Sequence, residues 1–83
     1  VELFAAFLGG PLTGARMGED HEVVFVVAED AAAAKRRARE KWGGTGRGHV
    51  DAVQRLCVVD GFEVQLVQTD QPDRTVVELD DFN

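Results

Sequence analysis

Serine and tyrosine are missing from this sequence altogether, and cysteine occurs once, at Cys57. Catalysis by a serine nucleophile or a tyrosine acid is therefore excluded. A lone cysteine cannot close a disulfide within the chain. Secreted domains this small usually need such staples, so a reducing, cytoplasmic compartment is expected. No apolar run approaches the roughly 20 residues a membrane helix requires, and the opening residues lack the pattern of a signal segment. No membrane association is expected.

With 83 residues there is room for one core and no second domain. A single domain is expected over residues 1–83, with its core at about 2–67. Residues 68–83 read as a polar turn followed by a C-terminal edge strand. The net charge of −6 is unevenly spread. Lys35, Arg36, Arg37, Arg39 and Lys41 fall within seven positions, whereas the rest of the chain is strongly acidic. An acidic body repels nucleic acid at long range, so nucleic acid is not the expected partner. Arg36 and Glu40 stand at i,i+4, the spacing of a solvated helix face, and this reading of the basic stretch is preferred.

Residues 2–8, ELFAAFL, form an apolar run stopped by Gly9, Gly10 and Pro11, which predicts a strand. HEVVFVVA, residues 21–28, is dense in β-branched residues and predicts a second strand. Asp30 then suits an N-cap for AAAAKRRAREKW. At 100° per residue Ala31, Ala34, Ala38 and Trp42 share one stripe, and Gly43-Gly44 would end the helix. HVDAVQRLCVV reads as a strand, and Asp60-Gly61 as a type I′ turn into FEVQLV. Outward pairing from that turn sets Val59 opposite Phe62 and Cys57 opposite Val64, with Cys57 in the core. TVVEL, residues 75–79, would be an edge strand. The fold class is α+β, in the order β-β-α-β-β with a possible further β, one helix packing on one face of a small mixed sheet.

The segments LGG (8–10), E-x-H-E running into VVFVV (19–27), KWG (41–43), HVD (49–51) and VDGFEVQL (59–66) together resemble an uncharacterised bacterial family, domain-of-unknown-function family 1543. The likeness spans residues 3–67. Members of that family more often carry Asp at the position of Glu22 and Tyr at that of Phe62, and many continue into a second related unit. The family has no assigned activity, so the resemblance implies no catalytic role for any residue.

Two constellations bear on function. Glu19, His21, Val23 and Phe25 alternate onto one face of the second strand, and His49 and Asp51 share a face of the third. Were these strands parallel neighbours joined through the helix, Glu19, His21, His49 and Asp51 would meet at one sheet edge. Two imidazoles and two carboxylates suit a divalent metal or an acid–base pair. The preferred reading is plainer, each histidine capping a strand end, and no cofactor is expected. The loop GGTGRG follows a helix C-terminus, where the dipole has the wrong sign for a phosphate, so it reads as a C-cap and connection.

The second constellation is apolar. Both faces of the first two strands are hydrophobic, and one short helix covers only one of them. The uncovered face exceeds what a soluble monomer usually exposes. A homodimer is therefore expected, with Val24, Val26, Leu56 and Val58 as interface candidates. The preferred function is a homodimeric binding or interaction module without catalysis. The alternative is a small metal-dependent or acid–base enzyme centred on His21 and His49.

Overall fold

The computed structural model of the chain describes residues 1–11, 19–42, 48–76 and 78, apart from the side chains at 10, 11, 19 and 20. Strand β1 (Glu2–Pro11) pairs antiparallel with β2 (Glu19–Ala28) on one side and with β3 (His49–Arg55) on the other. The order is β2-β1-β3. Helix α1 (Ala31–Glu40) links β2 to β3 by way of residues 41–48. A hairpin of β4 (Val58–Val59) and β5 (Phe62–Glu63) forms a separate two-stranded sheet.

This is the expected α+β architecture with one helix on one sheet face, but every strand pairing among the described residues is antiparallel. The expected neighbours β2 and β3 run in the same direction, yet β1 lies between them. An extended β1 makes this possible. It continues through Gly9 and Gly10 to Pro11, where the sequence pattern suggested an end at Leu8. Its backbone is held on both sides as far as Gly9, and partnered hydrogen-bonding groups outweigh weak local propensity.

Alternation along β1 separates the two faces. Phe4, Ala6 and Leu8 point toward the helix and are at most 2% exposed. Ala34 and Ala38 of α1 close over them, both fully buried. The small alanines let the helix approach the sheet closely, and Trp42 packs against the same cluster as the stripe predicts. The register carries this covered face across the sheet. Val24 and Val26 oppose Ala6 and Phe4 on β2, and Val50 and Val53 oppose Leu8 and Ala6 on β3. Asp30 caps the helix as expected, its side chain accepting from the Ala33 N–H at 2.8 Å.

The Asp60-Gly61 turn has positive φ at both central residues, 52° and 82°, the signature of a type I′ turn. Val59 faces Phe62, and the Val64 N–H donates to the Cys57 carbonyl at 2.8 Å. The expected pairing therefore holds close to the turn and goes no further. FEVQLV contributes only Phe62 and Glu63 to a strand, and Cys57 is exposed, not part of the core. The hairpin forms a sheet of its own, and among the described residues no second layer covers the thiol. In the expected edge strand 75–79, residues 75, 76 and 78 are irregular, and 77 and 79 lie outside the described residues. The expected Gly43-Gly44 helix stop and most of the GGTGRG loop also lie outside them.

Candidate functional site

The sheet face away from α1 carries Leu3, Ala5, Phe7 and Gly9 from β1. Val27, Phe25, Val23 and His21 of β2 stand opposite these four. His49 of β3 opposes Gly9 from the other side. Gly9 thus has an imidazole-bearing residue directly across from it on each neighbouring strand. Directly opposed residues share a face, so both histidines flank the gap left where Gly9 has no side chain.

That gap is lined by polar atoms. A Cβ placed on Gly9 would lie 3.3 Å from His21 Nδ1, 3.3 Å from His49 Nε2 and 3.4 Å from Asp51 Oδ2. All three donor groups therefore fall within one small sphere above the central strand. Backbones two strands apart are separated by roughly 9–10 Å. The imidazoles bridge that distance only because the strand between them presents glycine. Alanine would place a methyl carbon against all three groups.

Asp51 reaches the gap by a break in the ladder. Phe7 pairs with Ala52 and Leu8 with Val50, so Asp51 is left without a partner on β1. Two residues opposing one is the pattern of a β-bulge, which bends the strand and re-aims a side chain. Asp51 Oδ1 lies 3.2 Å from His49 Nε2, with both side chains about half exposed. This contact sets the imidazole of His49 against the carboxylate two residues further along β3.

Three of the four proposed site residues are thus brought together: His21, His49 and Asp51. The route differs from the expected one, since β2 and β3 are not neighbours and the meeting takes place across Gly9. The Glu19 backbone lies on β2 opposite Pro11, and its side chain is outside the described residues. As the side chains stand, no three described His, Cys, Asp or Glu groups close around an ion. Sequence reasoning missed Gly9, which it treated as punctuation. The available signal was register, because pairing HEVVFVVA against an ELFAAFLGG strand sets His21 beside Gly9.

The interface candidates need correction. Val26 is 2% exposed and Val24 packs against the core, both beneath the helix. The helix lies over the face that includes these two valines, so the open face is the other one. There Val23, Phe25 and Val27 are 50%, 56% and 39% exposed. Leu56 is partly buried beside β1, its N–H donating to the Leu3 carbonyl at 2.9 Å. Val58, in the hairpin, is exposed.

The basic residues of α1 are exposed, with one refinement. Lys41 Nζ donates to the Phe25 carbonyl at 2.8 Å and lies 3.5 Å from Asp73 Oδ2. It therefore ties the helix end to the outer edge of β2. Arg55 lies 2.7 Å from Glu2 and over the Phe4 ring, an attachment between β3 and β1. No described helix is long and apolar enough to cross a membrane.

A family profile with the description Domain of Unknown Function (DUF1543) matches residues 16–66. No curated protein and no solved structure matches the chain. The matched stretch begins before β2 and ends just past β5, so it includes His21, His49 and Asp51.

Proposed function

The chain belongs to the family Domain of Unknown Function (DUF1543), and from that premise we propose that it is a homodimeric binding module without catalytic activity of its own. One observation carries the reading: the stripe of Val23, Phe25 and Val27 exposed on the sheet face opposite the helix. Helix and sheet make two layers, and among the described residues the sheet's other face keeps this apolar stripe exposed. A second copy supplies the third layer. The contact would be isologous, each stripe meeting its own symmetry mate as two sheets packed face to face about 10 Å apart. Cys57 as the lone cysteine and the resemblance to a bacterial family support a cytoplasmic protein of bacterial origin.

The test is the mass in solution. Light scattering at micromolar concentration should give twice the chain mass. Phe25→Asp should give a folded monomer, because a charge buried in an apolar contact costs several kcal/mol while Phe25 stands outside the core. A parent protein that runs at the mass of one chain would sink the proposal. The alternative, an enzyme centred on His21 and His49, is favoured only by the cluster over Gly9. Such a cluster is a ligand set before it is a catalyst.

A further inference from the structure

We propose that His21, His49 and Asp51 form a three-ligand site for a divalent transition-metal ion above Gly9, on the sheet face that also carries Val23, Phe25 and Val27, a proposal that does not rest on the dimer. The argument begins with the donors. His21 Nδ1, His49 Nε2 and Asp51 Oδ2 all lie within 3.4 Å of a single point. Two imidazole nitrogens and one carboxylate oxygen suit zinc or a neighbouring first-row ion. Calcium and magnesium prefer all-oxygen sets. Cys57 belongs to the hairpin region and contributes no thiolate, so softer ions are not favoured.

Distance supports the same class. Ligand bonds to zinc run about 2.0–2.1 Å, which puts neighbouring ligand atoms of a tetrahedral ion roughly 3.3 Å apart. His49 Nε2 and Asp51 Oδ1 already stand 3.2 Å apart. An ion bound there would take His49 Nε2 as a neutral imidazole ligand, the ring proton resting on Nδ1, and Asp51 as a carboxylate. His21 would complete the set by a rotation of its exposed side chain. The glycine leaves room for this inward movement, and the bulge at Asp51 leaves that residue free of ladder constraints. His49 and Asp51 are each about half exposed in the single chain, which leaves one or more coordination positions for water or an outside ligand.

The experiment titrates the purified full chain, stripped by chelator, with zinc in a calorimeter. A parallel titration with cobalt(II) is followed by visible absorption. One ion per chain should bind, and cobalt should develop the intense bands of a low-coordinate nitrogen–oxygen site. His21→Ala and His49→Ala should each abolish binding at concentrations that saturate the parent, with the far-ultraviolet circular dichroism unchanged. Gly9→Ala should lower affinity by roughly tenfold or more, the scale on which disturbed ligand orientation acts. Absence of binding to the parent would overturn the proposal. So would binding that survives loss of either histidine in a folded variant. The two histidine variants decide the matter even if the glycine variant fails to fold.

Discussion

A Cβ built at Gly48 would fall 2.5 Å from the Trp42 ring, closer than real atoms approach, so ring and backbone are in direct contact there. Gly48 is buried and immediately precedes β3, so this contact sets where the strand begins relative to the helix end. Gly48→Ala should displace the indole and cost about 1–3 kcal/mol, the range for overpacking a close contact. Denaturant unfolding followed by Trp42 fluorescence would check it, and an unchanged midpoint would contradict the contact. The Trp42 Nε1–H is buried with no partner among the described residues. Gly9 works the other way. It also lacks a Cβ at a crowded position, but polar donors surround the gap where a ring fills the one at Gly48.

At the scale of elements, α1 is short and its own propensity is insufficient to hold it in water. Its hold on the sheet comes from Ala34 and Ala38 and from the cap at Asp30. Asp30→Ala leaves the Ala33 N–H without its side-chain acceptor and should cost about 1 kcal/mol. A thermal melt with no change would show that water replaces the cap at no cost. The outward face behaves differently. Arg36 and Arg37 are exposed, so changing both to Gln should move stability by no more than about 0.5 kcal/mol. A salt-sensitive affinity for RNA or DNA, lost in the same variant, would contradict the solvated reading. The β4–β5 hairpin depends on the positive φ values at Asp60 and Gly61, with few contacts to the main sheet to reinforce them.

At the largest scale, the described part of the chain is less compact than its length implies. Its radius of gyration is 15.0 Å, against about 12 Å for a compact chain of this size. Phe62, Val67 and Val76 are 77%, 90% and 72% exposed, on chain that leaves the main sheet after Leu56. The two faces of β2 then separate stability from assembly. Val26→Asp puts a charge into the core and should unfold the protein, a cost of several kcal/mol. Phe25→Asp, one residue earlier, should spare the fold. Circular dichroism of the two variants side by side would reveal an error in the assignment of faces, for then their behaviour would be reversed.

The sequence by itself determined the local elements. Asp30 and the alanine stripe mark the helix, the β-branched run 23–27 marks β2, and Asp60-Gly61 marks its turn, because capping, periodicity and turn chemistry act over a few residues. It also determined that one apolar face would be left over, since one helix covers one side. Only the tertiary structure decided which face that was, because β2 is hydrophobic on both and alternation cannot choose between them. It likewise decided that β1 lies between β2 and β3, which depends on which backbone edges are available to pair. From that order came the meeting of His21, His49 and Asp51 over Gly9. Neither a residue without a side chain nor an unpaired residue in a bulge leaves a mark in hydrophobic pattern. Both acquire meaning only when three strands are set in register.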